Sequence, residues 1–189
     1  MNREELEHAI RTACQLTGKD RVIIIGSQSI LGSFDGDVLP AEATESREVD
    51  VLPVADTHEE IVRLADLVSG VAGELSDYDD LHGFYLDGVD DTTATLPVDW
   101  KDRLVRVESQ GTMNILTGTI CLGLCLEPHD LCVAKLCAHR EKDTRFVAAI
   151  IKAGLVDPQL IADRLGNLEG KDKAAAAVAL QWLGKFLLA

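Results

Sequence analysis

Aromatic residues are scarce in this 189-residue chain, at 4%. Ala, Leu and Val must therefore do the packing, and at 47% hydrophobic the chain has material for one core of ordinary size. Long apolar runs are missing. No stretch approaches the roughly 18 uninterrupted apolar residues of a membrane-spanning helix, so no membrane partner is expected. The opening "MNREELEHAI" is acidic and lacks an apolar segment, which argues against a secretory signal and for a cytoplasmic protein. Positive charge is also short: 18 Lys and Arg stand against 32 Asp and Glu, a net charge of −14. That argues against broad, nonspecific binding to phosphate backbones. Local exceptions are "KDRLVR" at 101–106 and "KLCAHREKDTR" at 135–145.

Three motifs are absent. There is no CxxC knuckle among the five cysteines, and Cys121-x3-Cys125 with His129 and His139 is the only spacing that keeps a metal reading open. An odd set of thiols set among Leu, Val and Ala reads as reduced and buried. Neither GxxxxGK[ST] nor GxGxxG occurs, which disfavours a P-loop NTPase and a Rossmann dehydrogenase.

What is present is an alternation of helical and strand-like segments. Residues 2–16 read as an amphipathic helix with Asn2 and Glu5 in capping-box spacing. "RVIIIG" reads as a buried strand, "SQSILGSF" as the start of a second helix, and 35–46 as a loop. "EVDVLPV" is a strand, residues 57–75 a helix capped by Thr57, "SDYDDLHG" a loop and "FYLDGV" a third strand. After an irregular connection, "RLVRVES" and "MNILTGTICLGLCL" are further strand candidates. From Glu127 the pattern turns helical, with one long helix or two joined near His139–Arg140, then two more. His58, His82 and His139 read as solvated. The layout is α/β (α+β): residues 1–126 an α/β core, residues 127–189 a helical part packed on it, the two able to form one compact domain.

Two constellations carry chemistry. Strand side chains two positions apart share a face, so Glu48 and Asp50 form an acidic face opposite Val49 and Val51. Two carboxylates on one face repel unless solvated or bridged, and a divalent cation with oxygen ligands resolves this. The bland alternative is a sheet with its polar face in water. Gly26-Ser27, directly after a buried strand and before an expected helix, offers close backbone approach, free N–H groups and a hydroxyl to an anion. The second constellation is "KLCAHREKD". Helical periodicity turns Lys135 and Asp143 toward apolar faces, where they are either a structural ion pair or functional.

Gly26-Ser27 followed by Glu48-Val49-Asp50-Val51 resembles the signature of the nucleotidyltransferase superfamily with the DNA polymerase β-like fold. Lys135, Leu136, Ala138, Arg140, Lys142 and Asp143 are similar to the C-terminal motif of its toxin-type branch, the AbiEii-like proteins that include the mycobacterial Men toxins. The resemblance covers most of residues 20–155. Two features depart from the pattern: Glu48 stands where Asp is usual, and twenty-one positions separate Ser27 from Glu48.

The resemblance implies a mixed sheet flanked by helices. It implies that Asp50 and Glu48 hold Mg²⁺ or Mn²⁺, with Asp87 as third carboxylate and Asp99 the alternative. It further implies that Gly26, Ser27, Lys135 and Arg140 hold the nucleotide phosphates, and that Asp143 is a further essential acid. The activity implied is transfer of a nucleotide from an NTP to an acceptor hydroxyl. By the same resemblance the acceptor is the tRNA 3′ end, and the protein is a toxin with a cognate antitoxin. Lys101, Arg103 and Arg106 would join the 135–145 cluster as a path for RNA. The alternatives are a small-molecule acceptor such as a cationic aminoglycoside, a protein acceptor, or a degenerate site that binds nucleotide without catalysis. Ser46, four positions before Asp50, is a candidate regulatory phosphosite, because a phosphate there would repel the triphosphate.

Overall fold

The structure, a computed structural model, describes residues 1–187; Leu188 and Ala189, at the end of the expected helical part, lie outside the described residues. Helix α1 (Arg3–Thr17) opens on the expected capping box, with Asn2 and Glu5 each bonded to the other's backbone N–H. It buries Leu6, Ala9, Ile10 and Ala13 as one stripe and ends on Gly18 in the left-handed conformation.

Strand β1 (Arg21–Ile24) is the centre of a five-stranded sheet of order β3-β2-β1-β5-β4. Strand β2 (Glu48–Pro53) runs antiparallel to β1, and β5 (Leu122–Cys125) runs parallel to it. Strand β3 (Tyr85–Gly88) adds in parallel beyond β2, and β4 (Val105–Val107) antiparallel beyond β5. The sheet is therefore mixed, as the resemblance implied. Helix α3 (His58–Ala72), capped by Thr57, packs with α1 against the sheet, under the buried side chains of Val49, Val51 and Leu86.

Helices α5 (Pro128–Ala138) and α6 (Glu141–Lys152) are separate, and His139 breaks the path between them with φ of 54°. Helices α7 (Pro158–Gly166) and α8 (Lys173–Leu187) complete the helical part. One hydrophobic cluster runs from Leu6 and Val49 through Leu131 and Phe146 to Leu183, so both halves of the chain share a core.

Three local expectations need correction. "SQSILG" forms a 3-10 turn over Ser27–Gly32, not an α-helix, so Gly26-Ser27 does not open a true helix N-terminus. Four consecutive residues, Gln28, Ser29, Ile30 and Leu31, are buried there, where the turn packs on the sheet. Residues 35–46 include a one-turn helix, α2 (Ala41–Thr44). "SDYDDLH" is a helix, α4 (Asp77–His82), capped by Ser76 and ended by Gly83 at φ 74°. His82 is correspondingly half-buried, its ring 4.3 Å from that of His8 and 4.5 Å from that of Tyr78.

Candidate active site

The strands bring the acids together by register. Asp50 of β2 sits directly beside Asp87 of β3, and Glu48 lies two residues before Asp50 on the same face. One oxygen from each of Glu48, Asp50 and Asp87 lies within 4.8 Å of the other two. Asp99, the alternative third acid, is exposed and precedes a 3-10 turn with φ of 60°, outside this group. The extra methylene of Glu48 thus still delivers its carboxylate to the cluster.

The crowding has an electrostatic consequence. Burial, with the charges of Glu48 and Asp87 adding to it, pushes Asp50 up to about 6. Three oxygen donors with this mutual repulsion suit a hard divalent cation such as Mg²⁺ or Mn²⁺. The cysteines do not offer a competing site: Cys121 and Cys125 are buried thiols, and His129 is engaged by Glu127 and the Asp157 N–H. Among the described residues the acidic triad is the only group of three or more such side chains close enough to share an ion.

Opposite the acids stands a second network. Lys135 Nζ donates to Ser27 Oγ at 2.8 Å and to Asp143 Oδ1 at 3.2 Å, and lies 4.5 Å from the centre of the Phe146 ring. Arg140 Nε donates to Asp143 Oδ2 at 2.6 Å. The Asp143 side chain is fully buried, and that of Lys135 is 9% exposed. Burial alone would raise Asp143, but the hydrogen bond from Arg140 and the Lys135 charge bring its carboxyl below the usual range. Burial pulls Lys135 below the usual lysine range, with Asp143 pulling the other way. Asp143 holds Lys135 with its ammonium beside Ser27.

Gly26, Ser27, Glu48, Asp50, Asp87, Lys135 and Arg140 all border one cleft of about 420 Å³. A smaller chamber of about 170 Å³ adjoins it at Ser27 and Lys135, with Ser46, Glu42, Lys142 and Arg145 around it. The Ser46 hydroxyl accepts from the Glu48 N–H at 3.2 Å, at the foot of the acidic strand. Arg47 turns away and bonds Asp79 and the Gly83 carbonyl.

A family of proteins described as nucleotidyltransferases of unknown function (DUF6036) matches residues 4–177. The chain belongs to this family. No curated protein and no solved structure matches it.

In this nucleotidyltransferase-family chain the residues of the expected basic path differ in their surroundings, and Lys101 is exposed. Arg103 is bonded to the buried Asp130, at 2.8 and 3.1 Å, and Arg106 to Glu108. Asp130 also holds Arg164 at 2.8 Å, so Arg103 serves the junction of α5 and α7. Reading the sequence alone missed Ser69 of α3. Its hydroxyl donates to Asp87 Oδ1 at 3.1 Å and accepts from the Gly88 N–H at 2.7 Å. The Thr93–Thr95 segment of the cleft was missed as well, and Lys142, named in the matched motif, was given no role. Lys142 stands in the matched motif, so its position was a usable signal; nothing local marks Ser69 or Thr93.

Proposed function

We propose that the protein transfers a nucleotide from an NTP to an acceptor hydroxyl, with Mg²⁺ or Mn²⁺ held by Glu48, Asp50 and Asp87. The observation that carries this is the placement of those three carboxylates in one cleft with the Ser27–Lys135–Asp143 network. Nucleotidyl transfer needs charge neutralisation on the transferring phosphate and alignment of the attacking group, and both kinds of residue are present. The acceptor oxygen forms a bond to the α-phosphorus, the bond to the bridging oxygen breaks, and pyrophosphate leaves. The hydroxyl proton passes to a carboxylate of the acidic cluster. A bound metal would supply Lewis-acid stabilisation of the phosphoryl oxygens. Lys135 and Arg140 face the anionic substrate, and Ser27 presents its hydroxyl to it.

The acceptor proposed is the tRNA 3′ end, in the cytoplasm, with the protein acting as a toxin held by a cognate antitoxin. The motif resemblance at Lys135–Asp143 supports this reading. A second reading, a cationic small-molecule acceptor, is favoured by the net charge of −14 and by the engagement of Arg103 and Arg106 with acids. Incubation with Mg²⁺, each α-labelled NTP and either total tRNA or aminoglycosides separates the two. Label on tRNA alone supports the first reading; label on aminoglycoside alone replaces it with the second. Ser46 is proposed as a control point, since a phosphate beside Lys135 and Lys142 would take the place of the substrate's phosphates. A Ser46→Asp variant with full activity would count against this.

A further inference from the structure

We propose that the uncharged wall of the cleft, formed by Ala134, Cys137 and Ala138 of α5 with Thr93, Ala94 and Thr95 of the β3–β4 connection, is the subsite for the nucleobase of the NTP. This rests on the NTP-dependent reading above and adds the direction in which the nucleotide lies.

Charge is sorted along the cleft. The carboxylates of Glu48, Asp50 and Asp87 mark one point of it. Lys135 and Ser27 mark another, and beyond them the smaller chamber is bordered by Lys142, by Arg145 paired with Glu45 at 3.5 Å, and by Glu42. A triphosphate with its α-phosphate at the acids runs over Ser27 and Lys135 toward Lys142, which borders both spaces and which no carboxylate pairs with among the described residues, whereas Arg140 and Arg145 are paired with Asp143 and Glu45. The nucleoside then leaves the α-phosphate on the other side, toward the uncharged wall.

The wall has the shape for a planar ring. Leu131, Ala134, Lys135 and Ala138 follow the i, i+3, i+4, i+7 spacing of one helix face. The helix that sends Lys135 to the phosphates therefore presents Ala134 and Ala138 beside it. Alanine ends at Cβ, so two of them a turn apart leave a flat apolar shelf, suited to the face of a base. Thr93 and Thr95 supply hydroxyls for its edge. Thr95 Oγ1 donates to Asp172 Oδ1 at 3.3 Å, tying this segment to the helical part.

Cys137 makes the proposal testable without turnover. It is half-exposed, whereas Cys14, Cys121, Cys125 and Cys132 are buried. Burial pushes its thiol up to about 11, so maleimide labelling is run on the alkaline side of neutrality, with the modified residue read by mass spectrometry. The protein is labelled with Mg²⁺ alone, with Mg²⁺ and each NTP, and with Mg²⁺ and inorganic tripolyphosphate, with binding followed in parallel by calorimetry. The expected result is about tenfold slower labelling of Cys137 with a saturating NTP and little change with tripolyphosphate. Ala138→Trp, which fills the shelf, is expected to weaken NTP binding by about tenfold while leaving tripolyphosphate binding unchanged. An NTP that binds by calorimetry yet leaves Cys137 labelling at the tripolyphosphate rate overturns the base subsite and leaves the transferase reading standing. Calorimetry that shows no NTP binding to the wild type overturns both.

Discussion

Gly26 and Asp50 are packed so closely that a Cβ on Gly26 would overlap the Asp50 carboxylate. The Ile25 N–H donates to the Asp50 carbonyl at 3.1 Å, so the two backbones are locked side by side. Gly26 has φ of −88°, which any residue tolerates; close approach, not backbone conformation, requires glycine here. Gly26→Ala is therefore expected to displace Asp50, weaken Mn²⁺ binding and cut transfer by about a hundredfold or more, with circular dichroism unchanged. Wild-type metal affinity in Gly26→Ala would show that Asp50 does not need its present position.

Ser69 bridges Asp87 and the Gly88 N–H at the open edge of β3. Its hydroxyl fixes the Asp87 carboxylate without belonging to the acidic cluster. Ser69→Ala removes two hydrogen bonds, of which the one to the Asp87 carboxylate is worth about 1.5–3 kcal/mol at most, part of which water restores. The expected outcome is Mn²⁺ affinity lower by about tenfold in a titration, with Ser69→Thr recovering most of it.

Asp143 is fully buried between Lys135 and Arg140. Asp143→Ala strands Lys135 in a buried site and is expected to cost about 3 kcal/mol in urea unfolding. Replacing both partners by apolar residues, Lys135→Met with Asp143→Leu, should recover most of that stability and none of the activity. Recovery of activity in the double variant would reduce the pair to a structural role.

Proton and metal compete for the acidic cluster. Asp50 is pushed up to about 6 in the metal-free protein, above the ordinary carboxylate value near 3.9. Between these two values the folded state binds more protons than the unfolded one, so this group's contribution to stability falls as pH rises. Metal-free wild type should therefore lose more thermal stability than Asp50→Asn between about pH 4 and 6. Mg²⁺ or Mn²⁺ affinity should rise with pH through about 6 and then level off.

The acidic face was legible because its information is local: a period of two places Glu48 and Asp50 together, and a helical period turns Lys135 and Asp143 inward. The partnership of Asp50 with Asp87 is not local. It depends on β3 adding in parallel beside β2, a register no single-segment pattern contains, and Asp87 entered only through resemblance. Ser69 was hidden for the same reason, since its role exists only where α3 meets the edge of β3. Helix α4 was misread because its polar residues mask its caps, although Ser76 and Gly83 stand at the correct distance. The Gly26-Ser27 turn was read as letting an anion approach the backbone; the group packed against Gly26 is the Asp50 carboxylate. Arg103 and Arg106 looked available in the sequence because the acids that hold them, Asp130 and Glu108, are assigned only by folding and by side-chain orientation.

The central proposal is nucleotidyl transfer to tRNA through the Asp50 cluster. Its most direct measurement is incubation of wild type and Asp50→Ala with Mg²⁺, α-labelled NTPs and total tRNA, followed by electrophoresis. The account predicts label on tRNA with wild type, and loss of that label with Asp50→Ala or with a chelator. Equal labelling by Asp50→Ala, or no labelling by wild type with any NTP, would contradict it.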